Sequence, residues 1–387
     1  MPSPSRMPSL WAVLRPRRLA LAAAVAGAIS FGLAYRFALR YRAKVGLPSR
    51  SPVEGSPADF GLAFESVEIP SGDARLAAWW VPAAGSTGRG ASAAPRPAVA
   101  IVHGWESNRG RSMAHSRYLH AAGFHCLVID VLGHGDNPPQ ELPVNVPEFG
   151  ESASAAARWL ADRPEVSAVG LLGHSLGGAG VIVAASSEPA VRAVVALSSP
   201  ADLVRMTRRT FDMADARIPG PIAAPLAYLT AAVLLAPRRH SLDDASACAA
   251  AARYRGPLLL MHGDDDRGVP VAHLELIAEA ARGARTDPGS PPVETAVVPG
   301  YGHRWLYEVA DVRRRTASFL ARELGGPVTP EKAGELAAAC VVERPENPVY
   351  GFGAAGTAVA AEAEVRERAR SQARPAANRS QLDNPAA

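Results

Sequence analysis

The most informative residues of this chain are a serine and the two glycines that flank it. Gly173, Ser175 and Gly177 form a G-x-S-x-G pentapeptide, which follows an apolar run, 169–172, and precedes an apolar, helix-compatible stretch, 179–185. A strand, a tight turn and a helix in that order make such a pentapeptide a nucleophile elbow. Glycine is needed at both flanking positions because side chains there would collide with neighbouring backbone. We therefore expect Ser175 to be a nucleophile held at the carboxyl edge of a sheet.

Two backbone N–H groups near this serine could stabilise an oxyanion. Leu176 begins the helix after the elbow, where N–H groups have no partner within the helix. A second apolar strand, 98–102, ends in His103-Gly104-Trp105, and a turn there offers the N–H of Trp105 as a second donor. The alternative for this second motif is an ordinary strand-ending turn.

An acid and a histidine occur later in the chain, each in a loop after an apolar strand. Asp266 follows the strand 257–261, and His303 follows the strand 293–298. Taken singly, Asp266 would be a solvated loop acid and His303 a turn histidine. The order Ser175, Asp266, His303 is that of one class of serine hydrolase, and it predicts a catalytic triad.

These motifs, in this order, make the chain resemble the α/β-hydrolases, and within them the bacterial serine hydrolases that share traits with prolyl-oligopeptidase-like proteins. The resemblance spans roughly residues 60–324. It is carried by His103-Gly104-Trp105, Asp130 to Asn137, Gly173 to Gly177, His262 to Pro270 and Gly302-His303.

The resemblance implies a role for each matched site residue. Ser175 would be the nucleophile, His303 the base, and Trp105 and Leu176 the oxyanion donors. The pattern H-G-x-x-D-x-x-V-P singles out Asp266 as the acid over its two aspartate neighbours. No cofactor and no metal are implied.

The chain departs from the family pattern at two positions. Leu132 stands where the family usually has arginine, and Asn137 where it often has serine. Both lie in a structural loop, so they bear on local packing and not on the triad.

Asp202 is a second candidate for the acid of the triad. It follows the strand before the one that leads to Asp266, and some α/β-hydrolases that resemble this chain have their acid at that earlier place. Asp266 matches the loop motif better.

The alternation of strands and helices predicts an α/β fold with a mostly parallel central sheet and helices on both faces. An antiparallel hairpin over 65–69 and 75–81 leads into the sheet. The insertion 200–255 would lie over the active site, and its apolar middle includes 226–236. That stretch is too short to span a membrane. It is either a buried helix or a small lid whose apolar face contacts an acyl chain or the bilayer.

The N-terminal region predicts a membrane anchor over 19–39. A helix of this length reaches roughly 30 Å, enough to cross a bilayer, and Trp11, Tyr35, Phe37 and Tyr41 are placed as interface anchors. Basic residues on both sides leave the orientation open. The alternative is a cleaved signal peptide, with 26–28 (Ala-Gly-Ala) as the site, which would give a secreted protein.

The predicted organisation has five parts. They are a basic segment 1–18, the anchor 19–39, a linker 40–59, the hydrolase domain 60–324 with the lid insertion 200–255, and a mostly disordered tail 325–387 with a short helix around 331–342. Because every triad and oxyanion residue lies beyond it, a chain that begins near Ser51 is expected to be soluble and active.

Composition narrows the function classes. The net charge is +4, and the basic residues are not interleaved with aromatic ones across the domain, which argues against nucleic-acid binding. Three widely spaced cysteines indicate no disulfide framework or metal site. We expect a membrane-anchored hydrolase of a small-molecule acyl substrate, most simply an ester. A thioesterase, a serine peptidase and a non-catalytic, membrane-tethered binding protein are the alternatives, and the oligomeric state is left open.

Overall fold

The computed structural model describes residues 10–86, 94–214 and 218–342, with side chains from Leu19 onward. Half of the predicted basic segment, 1–9, and most of the predicted tail, 343–387, lie outside the described residues.

Eight strands form one sheet, and it has the predicted, mostly parallel character. The order across the sheet is β1-β2-β4-β3-β5-β6-β7-β8, in which β1 and β2 pair antiparallel, β2 and β4 pair antiparallel, and the remaining pairs are parallel. The strands are β1 Glu65–Ser71, β2 Ala74–Val81, β3 Arg96–Val102, β4 His125–Ile129, β5 Val166–His174, β6 Val191–Leu197, β7 Leu258–Gly263 and β8 Val293–Val298.

The helices cover both faces of the sheet, as the strand and helix alternation predicts. They are α1 Leu10–Val45, α2 Met113–Ala121, α3 Val146–Ala161, α4 Leu176–Ala185, α5 Leu203–Met213, α6 Gly220–Leu235, α7 Ala247–Arg253, α8 Ala272–Gly283, α9 Ala310–Leu324 and α10 Pro330–Ala339. One apolar core unites the sheet with α3, α4, α7 and α8. A second core, on the opposite face, unites it with α2, α9 and α10.

Burial explains why the central strands are apolar throughout. Every residue of β4 and of β7 is buried, and so is nearly every residue of β3 and of β6. A parallel strand covered by helices on both faces has no solvent side, so its sequence does not alternate. Because β3, β5, β7 and β8 run in the same direction, the loops at their carboxyl ends meet at one edge of the sheet.

Helix α10 packs on the domain beyond the predicted boundary at residue 324. Ala333 and Ala337 are fully buried against the domain. The buried guanidinium of Arg313 donates to the carbonyl oxygens of Ala337 and Ala338 at 3.0 and 2.8 Å, which satisfies groups that end the helix. The small residues of α10 allow this close approach but give only a weak hydrophobic pattern.

Helix α1 extends into the predicted linker, 40–59. Helix α1 continues unbroken to Val45, so that only 46–59 connects it to β1, with a short 3-10 helix at Pro57–Phe60. Phe37 and Tyr41, which are predicted to be interface anchors, contact the ring of Phe211 in α5 at centroid distances of 5.6 and 6.0 Å. The last turns of α1 thus pack on the insertion 200–255, which we call the cap.

The apolar helix of the cap is longer than the stretch 226–236. Helix α6 starts at Gly220 and tolerates Pro225 within it. By length and composition, the helical stretch Gly220–Arg238 is long and apolar enough to cross a membrane, and so is Leu19–Val45 in α1. One face of α6, which includes Ala227 and Ala231, is buried, whereas Ile222 and Tyr228 are exposed. The helix is therefore both packed on the domain and partly open to its surroundings.

Candidate active site

Ser175 lies between the last residue of β5 and the first residue of α4. Its backbone has φ +56° and ψ −124°, a conformation that non-glycine residues rarely adopt. A Cβ atom at Gly173 would collide with the carbonyl of Gly177, and one at Gly177 would collide with the carbonyl of His103. The predicted need for glycine at both positions is thereby confirmed. The backbone N–H of Ser175 donates to the carbonyl of Leu197 at 2.8 Å, which fixes the turn to β6.

The structure brings together the three residues of the expected triad. His303 Nε2 lies 2.9 Å from Ser175 Oγ, and His303 Nδ1 lies 2.7 Å from Asp266 Oδ2. Both distances are within hydrogen-bond range. The imidazole thus stands between a hydroxyl and a carboxylate, with a different ring nitrogen facing each one.

The environment of Asp266 keeps it ionised. Its other oxygen, Oδ1, accepts the N–H groups of Gly268 and Val269 at 2.9 and 2.8 Å, and His262 Nε2 lies 3.1 Å from Oδ2. Burial alone would raise the pKa of this carboxyl, but the charge interaction with His303 and the hydrogen bonds from both histidines outweigh it and hold the pKa well below its usual range.

The other candidate acids make different contacts. Asp202 caps the N-terminus of α5 by accepting the N–H of Arg205 at 2.8 Å, and it forms an ion pair with the same arginine. Asp264 accepts the N–H of Gly300, and Asp265 is half-exposed beside Arg267. Of the four aspartates, the hydrogen bonds of Asp266 are the ones that reach His303.

The turn after β3 lies directly against the serine. A Cβ atom at Gly104 would lie 3.1 Å from Ser175 Cβ, so a glycine lets the two segments approach. His103 Nε2 accepts the N–H of Val131 at 3.0 Å, and its Nδ1 therefore carries the proton and donates to the carbonyl of Gly104 at 2.7 Å. These two hydrogen bonds of His103 fix the backbone that leads to Trp105.

The second expected donor, Leu176, is the first residue of α4. The first N–H groups of a helix have no partner within it, and the helix dipole adds partial positive charge there. Trp105 and Leu176 both line the cavity that contains Ser175.

The structural loop after β4 is held in part by Arg109, a residue that the sequence analysis did not single out. The buried side chain of Arg109 follows the turn 103–105, which we call the oxyanion turn after its expected role, and pairs with Asp130 and with Asp136. Asn137 accepts the N–H of Ala77 at 2.8 Å and donates to the carbonyl of Asp130 at 2.8 Å. The departure at position 137 thus keeps a well-bonded side chain in the loop.

Two further residues near the triad were missed by the sequence analysis. His174, the second residue of the pentapeptide, has Nε2 2.7 Å from the backbone carbonyl of His303, and a carbonyl can only accept, so Nε2 carries the proton. Burial lowers the pKa of His174 to about 3, which keeps it neutral. Glu106, directly after Trp105, has φ +53° and accepts the N–H of Ser49 at 3.0 Å.

A cavity of about 300 Å³ opens beside Ser175. Its walls come from the oxyanion turn, the cap, the loop after β8 and the end of α1. Apolar and aromatic side chains that line it include Val45, Leu203, Met206, Leu234, Trp305 and Tyr307. Such a lining suits an apolar group joined to the reacting centre.

Metal ligands were not found in the part of the chain that the structure describes: no group of three or more His, Cys, Asp or Glu residues there could hold a metal ion.

Comparisons with known proteins agree with this architecture. A family model described as serine aminopeptidase S33 matches residues 93–236. An uncharacterised protein of Mycobacterium tuberculosis is 26% identical over 259 residues, covering 66% of this chain and 78% of that protein. A monoacylglycerol lipase of Mycolicibacterium smegmatis is 28% identical over 241 residues, covering 55% of this chain and 83% of the lipase.

Among solved structures, an esterase of Pyrococcus furiosus has the same fold. It superposes with a TM-score of 0.56 at 21% sequence identity, and the match covers 73% of this chain and 99% of the esterase.

Proposed function

Because this chain has the α/β-hydrolase fold and belongs to that superfamily, we propose that it is a membrane-anchored serine hydrolase that cleaves carboxylic esters. One observation carries the proposal: a continuous hydrogen-bonded chain runs from Ser175 through His303 to Asp266 beside an apolar cavity. The motifs around Asp130 and Asp266 further favour the prolyl-oligopeptidase-like branch of the superfamily.

The proposed reaction is a two-step acyl transfer. His303 takes the proton of Ser175 as the serine oxygen attacks the ester carbonyl carbon. The ionised Asp266 holds the ring orientation and stabilises the imidazolium that forms. His303 then gives the proton to the leaving alkoxide, and water attacks the acyl-enzyme by the same route in reverse, which releases the acid.

Backbone donors would stabilise the tetrahedral intermediate. The N–H groups of Trp105 and Leu176 are the proposed pair, and each such donor contributes roughly 3–4 kcal/mol in comparable sites. The strained φ of Ser175 supports this role, because the sharp turn is what exposes the hydroxyl next to the start of α4.

The cavity favours an ester with an apolar acyl group over an aminopeptidase substrate. Among the described residues that line it, Glu106 is the only acidic side chain, and its carboxylate already accepts the N–H of Ser49. Burial also raises the pKa of Glu106. An aminopeptidase needs ionised carboxylates for a free ammonium group, whereas the names of the lipase and the esterase that resemble this chain point to ester substrates.

Helix α1 supports the membrane part of the proposal. Its apolar side chains over 19–33 are exposed, for example Leu19 at 70% and Phe31 at 62%, and a bilayer is the surrounding that favours such a helix. We assign a single-pass anchor. A secreted form cut after residue 28 is the alternative, and N-terminal sequencing of the mature protein separates the two.

A panel of matched substrates tests the catalytic proposal. The full-length protein in detergent micelles should hydrolyse p-nitrophenyl octanoate faster than the corresponding thioester and much faster than the p-nitroanilide amide. The Ser175→Ala variant should lose all three activities while keeping its melting temperature. Faster turnover of the amide would favour the peptidase, and absence of any turnover would favour the non-catalytic binding protein.

A further inference from the structure

The end of α1 is packed into the catalytic domain and is not a free tether. Ala38 is fully buried, and Arg42 Nη1 donates to the carbonyl of Val233 in α6 at 3.3 Å. Tyr41 and Val45 line the same cavity as Ser175. The helix that enters the membrane therefore also forms a wall of the candidate active site.

The chain that leaves α1 is bound to the loops that surround the serine. Gly46 accepts the N–H of Val144 at 2.8 Å, and Arg50 donates to the carbonyl of Gly135 at 2.9 Å. Pro52 accepts the side-chain amide of Asn108 at 2.9 Å.

One of these contacts touches the oxyanion turn itself. The N–H of Ser49 donates to Glu106 Oε1 at 3.0 Å, and Glu106 is the residue after Trp105. Glu106 is 3% exposed, with a positive φ. A residue in that conformation persists only when its surroundings hold it there, and the Ser49 hydrogen bond is one such restraint.

An apolar ridge joins the exposed part of α1 to the cavity. Leu33, Phe37, Tyr41 and Val45 recur every fourth residue, and such a row forms a continuous ridge on a helix. Leu33 is 65% exposed and Phe37 is 39% exposed, whereas Tyr41 and Val45 are cavity residues.

We propose that the segment 41–52, which we call the anchor junction, is a specificity-determining and positioning part of the active site. Tyr41 forms a wall for the acyl chain of a membrane-resident, single-chain amphiphile, which reaches Ser175 from the bilayer along the ridge of α1. Ser49 positions the oxyanion turn through Glu106. A cavity of about 300 Å³ lies at the lower end of the range for small-molecule sites, ~300–1,000 Å³, which suits one acyl chain. The inference rests on the proposed ester hydrolysis.

Substitution of Tyr41 tests the wall. Full-length protein in detergent micelles is compared on p-nitrophenyl acetate, octanoate and dodecanoate. Tyr41→Ala should lower the octanoate-to-acetate ratio of kcat/KM by about fivefold or more, because an aromatic contact with the longer chain is lost. Tyr41→Phe should restore the wild-type ratio. Tyr35→Ala, a tyrosine on the same helix outside the cavity, should change the ratio by less than about twofold. A wild-type chain-length profile in Tyr41→Ala would overturn the proposal.

Substitution of Glu106 tests the positioning role. Glu106→Ala removes the acceptor of the Ser49 N–H and should lower kcat on acetate by about tenfold or more with KM little changed. Glu106→Gln keeps an acceptor oxygen and should recover most of the loss. Equal kcat for the alanine variant and the wild type would contradict the role of the junction.

A fluorophosphonate probe separates failure of this inference from failure of the proposed function. Probe labelling in Tyr41→Ala together with an unchanged chain-length profile would remove only the anchor junction from the active site. An unlabelled wild-type protein would remove the serine hydrolase assignment itself, and the junction proposal with it.

Discussion

His174 donates its Nε2 hydrogen to the backbone carbonyl of His303 at 2.7 Å, which ties the residue before the proposed nucleophile to the residue proposed as its base. The loop after β8 carries His303, and the hydrogen bond fixes this loop against the end of β5. Burial keeps His174 neutral, with a pKa of about 3, and the accepting carbonyl selects the tautomer that carries its hydrogen on Nε2.

The His174→Leu variant should therefore lower kcat by about tenfold to a hundredfold, since a small displacement of the base misaligns it with the serine. His174→Gln retains an N–H donor and should lose less. The kcat values for p-nitrophenyl acetate, with melting temperatures to establish folding, check the ranking. Equal kcat in His174→Leu and the wild type would show that the bond does not position His303.

The acid assignment predicts a large asymmetry between two conservative substitutions. Asp266→Asn should lower kcat by about 10⁴-fold, because the asparagine favours the wrong tautomer of His303. Asp202→Asn should retain near wild-type activity, because Asp202 caps α5 and asparagine is an equally good N-cap. The kcat values of the two variants decide the matter, and the reverse order would transfer the acid role to Asp202.

Buried histidines predict that stability falls in mild acid. Burial lowers the pKa of His103, His115 and His273 to about 4, and of His134 and His174 to about 3. The unfolded chain binds protons on these side chains near pH 6.5 and the folded protein does not, so stability is present above this pH and is lost as the pH falls towards 4.

Each buried histidine adds a slope of up to ~1.4 kcal/mol per pH unit within that window. Burial also raises the pKa of Asp130 and Glu148, which offsets part of the loss. Urea midpoints measured between about pH 7 and pH 5 should decrease, and His115→Gln should show a shallower decrease. A midpoint that does not change with pH would contradict the burial of neutral histidines.

The membrane proposal predicts that full-length protein resists extraction by high salt and by carbonate and requires detergent. The contacts of the anchor junction change the expectation for a chain that begins near Ser51. That chain lacks Tyr41, Val45 and Ser49, so octanoate hydrolysis should fall by about tenfold or more relative to full-length protein. Release by salt, or full octanoate activity of the shortened chain, would count against the anchor and the junction respectively.

The sheet and the immediate surroundings of Ser175 could be predicted because their determinants are local. The apolar run before Gly173, the two elbow glycines and the loop motif around Asp266 each specify their own backbone. The strand order of the parallel sheet then brings these loops to one edge, so the sequence order of the motifs is enough to predict their meeting.

Contacts between distant segments were not predictable in the same way. The packing of Tyr41 on Phe211 depends on where the cap lies relative to α1, which no local pattern encodes. Ala333 and Ala337 of α10 give a weak hydrophobic pattern although both are fully buried. His174 looked like a variable position of the pentapeptide, and only the fold shows that its ring reaches the carbonyl of His303.

Site-resolved labelling by a fluorophosphonate probe tests the central claim most directly, because the probe reacts only with an activated serine. Full-length protein is labelled in detergent micelles, digested and analysed by mass spectrometry. We predict one modified residue, Ser175, with labelling abolished in Ser175→Ala and strongly slowed in Asp266→Asn. Modification of a different serine, or undiminished labelling of Ser175→Ala, would contradict the assignment of Ser175 as the nucleophile.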